Sequence, residues 1–161
     1  MVHDIYHTLD ALSIAYERIE HPAVYTSEQA RSLVPHRPAR AAKNLFLRDK
    51  KGKRHILLVV EDHKIVQFKD IEQQTGLSHL SMGSPERLMR CLGVTPGAVS
   101  LLALINDQEG KVEVLVDREL WEGESIQAHP LVNTATVVMS IKDMTRFIEH
   151  TGHTIQFVDV G

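Results

Sequence analysis

The sequence predicts an α+β fold, a compact single domain spanning residues 1–161 in which helices flank one mixed, strongly curved, barrel-like β-sheet. The length suits one domain of ordinary size, and 43% of the residues are hydrophobic, which is enough for a core. Strand-like segments lie close together along the chain, helical segments intervene irregularly, and no internal repeat or linker divides the sequence. This order is typical of α+β domains.

Hydrophobic periodicity predicts the elements in chain order. They are a helix at 3–12, a strand at 16–19, a helix from 26 to about 34, strands at 41–48 and 55–60, helices at 68–74 and from 85 to about 93, strands at 99–105, 112–116 and 134–139, a helix at 141–150 and a strand at 155–158. Ser84 is a typical N-cap before Pro85, and Gly76, Gly93 and Gly152 follow the ends of three helices.

Turn signals and β-branched residues support the strands. Residues 49–53 form a turn that makes the two flanking strands a hairpin with a basic tip. Residues 106–110 form a second turn, between the apolar strands predicted at 99–105 and 112–116. The strand at 134–139 is rich in β-branched residues.

Positive charge is concentrated in one stretch of an otherwise acidic chain. The net charge is −3, yet residues 31–54 hold nine Lys or Arg and one acid, so this window is +8 and the rest is −11. Such asymmetry is typical of a local phosphate-binding face. The alternative is a solvated hairpin that charge keeps soluble, and the charges alone favour that alternative.

Composition also indicates a compartment. No basic leader precedes an apolar run, and no stretch approaches the ~20 apolar residues of a membrane span, so we expect neither a signal peptide nor a membrane partner. Cys91 is the only cysteine, which excludes an internal disulfide and favours a reducing cytoplasm.

Common catalytic motifs are absent from the sequence. It contains no Gly-x-Ser-x-Gly elbow, no phosphate-cradling Gly-Lys-Ser/Thr loop and no His-Glu-x-x-His. The histidines form only the isolated pairs His3/His7 and His150/His153, so we expect no metal and no cofactor. Cys91 lies late in an amphipathic helix and is interpreted as a packed thiol without chemistry.

Lys43 stands out among the lysines. Strand alternation puts it on the same face as Leu45 and Leu47, whereas Asn44 and Phe46 lie on the other face. A lysine in this position either extends its ammonium group to the edge of the sheet or lines a cavity as a fixed charge for a phosphate or a polarised carbonyl. Periodicity alone favours the first alternative.

Two loops contain residues suited to a site. Gly97, in the loop 95–100, allows a substrate to approach backbone N–H groups of the kind that form an oxyanion hole. The loop 129–134 places His129 and Asn133 just before an apolar strand. The alternatives are a simple helix-to-strand turn in the first loop, and a satisfied histidine with a capping asparagine in the second.

At these segments the chain resembles the YbaK/ProX family, the prolyl-tRNA synthetase-associated editing domains. The matching residues cover nearly the whole chain in order: Glu20-His21-Pro22-x-x-Tyr25-Thr26-x-Glu28-x-Ala30, Ala42-Lys43-Asn44-Leu45-Phe46-Leu47, Leu92-Gly93-Val94-x-Pro96-Gly97, Ala103-Leu104-Ile105-Asn106-Asp107, His129-Pro130-Leu131-x-Asn133-Thr134-Ala135-Thr136 and Thr151-Gly152-His153. The Lys-Asn-Leu-Phe-Leu and His-Pro-Leu-x-Asn blocks resemble the ProX branch more than the YbaK branch. One departure is Leu101, which stands where the family's Gly-x-x-x-Pro loop has proline.

The resemblance implies hydrolysis of the ester that joins an amino acid to the terminal adenosine of tRNA. It makes Lys43 the essential cation near the terminal phosphate or the ester, and it implies that a ribose hydroxyl helps to activate water, so that no protein nucleophile is needed. The substrate-binding residues that we predict are Asn44, Tyr25, Gly97, Ser100, His129 and Asn133. The predicted contacts to tRNA phosphates are Arg37, Arg40, Lys50, Lys51 and Lys53.

The implied substrate is alanine on proline tRNA, since a synthetase pocket that fits proline excludes smaller alanine only weakly. Leu45, Leu101 and Val132 are predicted to wall a methyl-sized cavity. Expected partners are the acceptor end of tRNA and prolyl-tRNA synthetase. Two alternatives stay open: a deacylase that removes cysteine or serine, and a non-catalytic binding module on the same fold.

Overall fold

A computed structural model describes residues 4–23 and 40–161. The helix expected from residue 26 to about 34, and the predicted site residues Tyr25 and Arg37, lie outside these ranges. The helices are α1 (Ile5–Ala11), α2 (Phe68–Thr75), α3 (Pro85–Leu92), α4 (Arg118–Trp121) and α5 (Ile141–His150), with 3-10 helices at Pro96–Ala98 and Leu101–Asn106. The strands are β1 (Tyr16–Glu20), β2 (Ala42–Arg48), β3 (His55–Glu61), β4 (Ser81–Met82), β5 (Val112–Asp117), β6 (Ser125–Ala128), β7 (Ala135–Ser140) and β8 (Ile155–Val158).

Helix α3 shows how local residues set an element. Ser84 is its N-cap and accepts a hydrogen bond from the Arg87 N–H at 3.2 Å, and Pro85 occupies the first helical position. Gly93 ends the helix in the left-handed conformation, φ +66°, which glycine adopts at little cost. The helix therefore begins and ends where the sequence predicts.

The larger sheet has five strands in the order β4-β2-β3-β5-β8. The predicted hairpin forms its centre, because β2 pairs with β3 in antiparallel register, with Leu45 opposite Leu58. Strands β3, β5 and β8 are parallel neighbours. Parallel pairing requires crossover connections, and these contain the helices and the 3-10 segments.

The smaller sheet has three antiparallel strands in the order β1-β7-β6. Arg40 links it to the larger sheet, because its backbone N–H donates to the Ser125 carbonyl at 3.0 Å and its carbonyl accepts from the Gln127 N–H at 3.2 Å. The end of β6 therefore lies beside the start of β2. This junction positions the candidate site.

The α+β class is confirmed, but the single curved, barrel-like sheet is wrong. Among the described residues two open sheets replace it, since the strands pair within two separate ladders that an isolated bridge at Arg40 joins. The apolar run expected as a strand at 99–105 is also different. Ser100 caps a 3-10 helix from Leu101, because its side chain accepts from the Leu102 N–H at 3.2 Å. Strands β4 and β6 and helix α4 were not predicted.

Two apolar clusters cover the two faces of the larger sheet. The first lies between the two sheets and includes Phe46, Val114 and Val137, together with residues of α1, α3 and α5. The second lies on the opposite face and includes Leu47 and Val60, with residues of α2. Successive residues of β2 thus point into different clusters. In the described part of the chain no helix is long and apolar enough to cross a membrane.

Candidate active site at the junction of the two sheets

A small polar pocket of about 40 Å³ lies where β2, β6 and β7 meet. Three alanines keep its walls short, and Asn44, His129 and Thr136 supply polar groups. The full lining is Ala41, Ala42, Asn44, Gln127, Ala128, His129 and Thr136. The fold therefore brings together two predicted site residues, Asn44 and His129, that lie 85 positions apart in the sequence.

His129 is a neutral hydrogen-bond acceptor in this pocket. Its Nδ1 lies 3.1 Å from the Ala135 carbonyl, and a carbonyl only accepts, so Nδ1 carries the proton and Nε2 keeps its lone pair. Burial lowers the pKa of His129; the Ala135 hydrogen bond opposes this shift and the nearby His21 adds to it. The imidazole is therefore uncharged near neutral pH and can accept a proton or a hydrogen bond from a ligand.

Ser100 holds His129 in place and is itself inaccessible. Its side chain is fully buried, and its hydroxyl donates to the His129 carbonyl at 2.6 Å. The same oxygen accepts from the Leu102 N–H at 3.2 Å. We predicted that Ser100 binds the substrate. Its hydroxyl instead donates one hydrogen bond and accepts another inside the protein, so Ser100 supports the pocket by holding the backbone of His129.

Sequence reasoning missed the pocket residue Thr136 and its hydrogen-bond partner His21, which lies behind it. His21 Nδ1 donates to the Pro22 carbonyl at 2.8 Å, so Nε2 accepts from the Thr136 hydroxyl, also at 2.8 Å. The Thr136 oxygen consequently keeps lone pairs for a ligand in the pocket. Both residues stand inside the sequence blocks that resemble the editing family, which is the signal that could have identified them.

Lys43 lies on the other face of β2. It is half-buried, and its Nζ donates to the backbone carbonyl of Lys64, in the loop after β3. Alternation along the strand separates it from Asn44, which lines the pocket. The described residues therefore form two groups, Asn44 with His129 on one side of β2 and the Lys43 ammonium on the other.

Lys64 anchors the loop that receives Lys43. Its side chain is buried and lies 3.0 Å from Asp117 and 3.3 Å from Glu119. Burial alone would lower the pKa of Lys64, but the hydrogen bonds and charges of these two carboxylates outweigh it and raise that pKa. Asp117 also accepts the Glu61 and Glu119 N–H groups, so the network ties β3 to the start of α4.

The remaining predicted pocket residues are dispersed. Gly97 lies in the 3-10 helix Pro96–Ala98, and Asn133 is half-buried in the loop before β7. The predicted apolar walls do not meet: Leu101 is in the first core cluster, Leu45 packs against the second, and Val132 is 47% exposed. That prediction is wrong because Leu101 begins a 3-10 helix instead of continuing a strand. Alanines wall the pocket instead.

The basic stretch divides into exposed and paired cations. Lys50, Lys51 and Lys53 are exposed around the β2–β3 turn. The Asp49 carboxylate holds this turn by accepting the Lys53 and Arg54 N–H groups at 2.9 and 3.1 Å. Arg40, by contrast, forms an ion pair with Glu61.

The α3 helix adds cations to the same region. Arg87 donates to the Gly52 carbonyl at 3.0 Å and to His55 Nε2 at 3.0 Å, which fixes its guanidinium against the turn. Burial and the charges of Arg87 and Arg90 lower the pKa of His55. The basic surface therefore extends beyond the window seen in the sequence.

Other candidate chemistry is not supported by the described residues. Burial raises the pKa of the Cys91 thiol, so the reactive thiolate is scarce near neutral pH. No group of three His, Cys, Asp or Glu able to hold a metal ion occurs within residues 4–23 and 40–161. His153 instead bonds Asp107 at 2.7 Å in a buried pair.

Comparison with known proteins relates this architecture to tRNA editing. The model of the aminoacyl-tRNA editing domain family matches residues 21–147. The chain is 36% identical over 152 residues to the prolyl-tRNA editing protein ProX of Acetoanaerobium sticklandii, covering 94% of this chain and 93% of that protein. It is also 36% identical over 148 residues to the prolyl-tRNA synthetase associated domain-containing protein 1 of Danio rerio, covering 91% of this chain and 80% of that protein.

Solved structures share the fold at low sequence identity. A hypothetical protein named APE2540 superimposes with a TM-score of 0.76 and 17% identity, over 98% of this chain and 99% of that one. With the match to the family model and the identity to both relatives, the conclusion is direct: this chain belongs to the family of aminoacyl-tRNA editing domains.

Proposed function

We propose that residues 1–161 form a single editing domain that acts in trans in the cytoplasm, where it removes alanine from mischarged proline tRNA. As a member of its family the chain is an aminoacyl-tRNA deacylase. The proposal concerns the amino acid, the tRNA and the residues that do the work. The relatives named after prolyl-tRNA editing and prolyl-tRNA synthetase support proline tRNA, with the synthetase as a partner.

We infer alanine as the amino acid that is removed from the size of the pocket between the two sheets. Its volume is about 40 Å³, and a water molecule needs roughly 10–15 Å³ of such space, so the pocket holds a methyl group and an ammonium group. Proline adds two methylene carbons. Forcing them into a packed site costs about 1–3 kcal/mol, which protects correctly charged tRNA by up to roughly a hundredfold.

The polar lining suits the α-ammonium group and the ester. The Thr136 hydroxyl oxygen and the neutral His129 Nε2 are acceptors, and Asn44 offers a carbonyl and an amide in the same pocket. In the proposed reaction water attacks the ester carbonyl carbon, and the bond from that carbon to the ribose oxygen breaks. The ribose hydroxyl is regenerated and the amino acid leaves as a carboxylate. His129 accepts a hydrogen bond from the attacking water or from the neighbouring ribose hydroxyl.

Two predicted roles stay part of the proposal. Lys43 supplies positive charge to the terminal phosphate rather than to the ester, because its ammonium group lies on the face of β2 opposite the pocket, where it donates to the Lys64 carbonyl. Lys50, Lys51 and Lys53 contact tRNA phosphates, supported by their exposure at the hairpin tip.

A deacylation panel tests the substrate assignment. Alanyl-, seryl-, cysteinyl- and prolyl-tRNA(Pro) are compared at equal enzyme concentration, and we expect alanine fastest, serine slow and proline barely cleaved. Serine adds one hydroxyl, which a site of this size rejects poorly. The Leu101→Pro variant restores the usual family residue at a first helical position, where proline is tolerated. Robust cleavage of cysteinyl-tRNA with alanyl-tRNA untouched would overturn the assignment.

A further inference from the structure

Lys64 is a buried cation behind strand β2. It is the only Lys or Arg that is buried within residues 4–23 and 40–161, with 8% of its surface exposed. It lies in the loop that follows β3, and its neighbour Ile65 is by contrast 78% exposed. A lysine is almost never buried unless its charge is paired, so the partners of Lys64 determine what it does.

Two carboxylates neutralise the charge of Lys64. Its Nζ lies 3.0 Å from Asp117 and 3.3 Å from Glu119. Asp117 is fully buried, and its carboxylate also accepts the N–H groups of Glu61 and Glu119 at 3.2 Å each. The end of β3 and the start of α4 therefore fix this carboxylate, and the carboxylate in turn holds the Lys64 ammonium in one place.

The backbone around Lys64 is tied to the start of β2. The Lys64 N–H donates to the Glu61 carbonyl at 3.1 Å, and the Asp62 N–H donates to the carbonyl of Ala41, just before β2, at 3.2 Å. These bonds close a tight turn after β3. Because the side chain and the N–H of Lys64 are both engaged, its carbonyl has a fixed direction, and it accepts from the Nζ of Lys43.

The two lysines differ in the charge that they leave available. Lys43 forms no ion pair with another described residue, and a neutral carbonyl holds its ammonium group. Its charge is therefore available to an anion, whereas Asp117 and Glu119 neutralise that of Lys64. A lysine has a flexible four-carbon stem, so its ammonium group occupies one position only where a fixed partner holds it.

We propose that Lys64 is a positioning residue for deacylation. Its ion pair with Asp117 fixes the carbonyl that presents the Lys43 ammonium to the terminal phosphate of the aminoacyl-tRNA, an inference that rests on the proposed function. Lys64 acts through Lys43, because its own side chain is buried and paired. An apolar side chain fills the same space but leaves the loop free to choose among conformations, whereas a buried ion pair selects one.

Three variants test this role. Lys64→Met removes the ammonium group and keeps most of the apolar stem, and Lys64→Arg keeps a charge that pairs with Asp117. Arg118→Met is the matched control, since Arg118 pairs with Asp159 at 3.1 Å directly beside Asp117 in the sequence, but is 54% exposed. We measure the affinity for uncharged proline tRNA as the salt concentration varies, kcat/KM for alanyl-tRNA(Pro), and stability by urea denaturation.

Loss of one phosphate contact is the expected result of both Lys43→Ala and Lys64→Met. The slope of log affinity against log salt concentration then falls by about 0.7–0.9 in each, so that the deficit in affinity grows about five- to eightfold for every tenfold dilution of salt. The double variant Lys43→Ala/Lys64→Met should lose no more slope than Lys43→Ala alone. Lys64→Arg should recover the slope and kcat/KM, and Arg118→Met should keep both.

The outcomes separate this inference from the proposed function. A Lys64→Met variant that is less stable but keeps the wild-type slope and kcat/KM has lost a purely structural ion pair, which overturns the inference. An unchanged slope in Lys43→Ala, or a further loss in the double variant, overturns it as well. If Lys64→Met does not fold, Lys64→Met/Asp117→Asn removes both charges and meets the same expectation. If no aminoacyl-tRNA is cleaved, the proposed function fails, and the salt slopes alone decide whether Lys64 presents Lys43 to a phosphate.

Discussion

Ser100 offers a direct test of how the pocket is held together. The Ser100→Ala substitution removes one oxygen that donates to the His129 carbonyl at 2.6 Å and accepts from the Leu102 N–H at 3.2 Å. Alanine fits the space, so the perturbation is the loss of hydrogen bonds and not a change of shape. His129 then loses the contact that fixes its backbone.

The magnitude follows from the two groups left without partners. A buried donor or acceptor without a partner costs about 1–3 kcal/mol, so we expect Ser100→Ala to lower the free energy of unfolding by roughly 2–4 kcal/mol. For a chain of this length that corresponds to a fall in Tm of about 5–15 °C. A displaced His129 should also lower kcat/KM on the order of 10- to 100-fold.

Ser84→Ala is the matched control. Ser84 also caps a helix, by accepting from the Arg87 N–H at 3.2 Å, but it is only half-buried and precedes α3, away from the pocket. Loss of a cap alone costs about 1 kcal/mol. Urea denaturation of both variants gives the free energies, and single-turnover deacylation gives the rates.

The comparison can fail in two ways. Equal stability of Ser100→Ala and Ser84→Ala would show that the buried hydroxyl contributes no more than an ordinary cap. A destabilised Ser100→Ala variant that deacylates at the wild-type rate, measured well below its Tm, would show that His129 does not need this support, and the assignment of Ser100 as a positioning residue would be refuted.

Three further predictions concern charged and titrating groups. Lys43→Ala should abolish deacylation while circular dichroism stays unchanged, and a folded variant of near wild-type rate removes Lys43 from the mechanism. Replacing Lys50 and Lys51 with Glu should weaken tRNA binding and flatten the dependence of log affinity on log salt concentration, by a slope of about 0.7–0.9 per lost phosphate contact. An unchanged slope would show that the β2–β3 hairpin tip is only a solvated turn. Burial first, and then two nearby arginines, lower the pKa of His55 below 6.5, so the unfolded chain binds the proton more readily. Stability should therefore fall as the pH drops below about 6.5, and His55→Gln, followed by urea denaturation across that range, should lose this part of the dependence.

The candidate site was partly predictable from sequence. Asn44, His129 and the neighbouring loops stand in the blocks that resemble the editing family, and the pocket contains the first two. Strand alternation also predicted that Lys43 and Asn44 face opposite sides of β2. The two apolar clusters on either side of that strand agree with this prediction. The Thr136–His21 contact spans 115 residues, and no local pattern reports a pairing of that range.

Local chemistry determined what the sequence by itself could fix: the cap and proline that begin α3, the glycine that ends it, and the β2–β3 hairpin with its basic tip. These depend on neighbouring residues, whose preferences act over a few positions. Only tertiary packing decided that the apolar run beginning at Val99 contains a 3-10 helix, since a short apolar run fits a buried strand or a buried helix equally well. Packing also decided that two open sheets meet at Arg40 and enclose an alanine-walled pocket, because pairing between distant strands follows from burial of the whole core and not from any one segment.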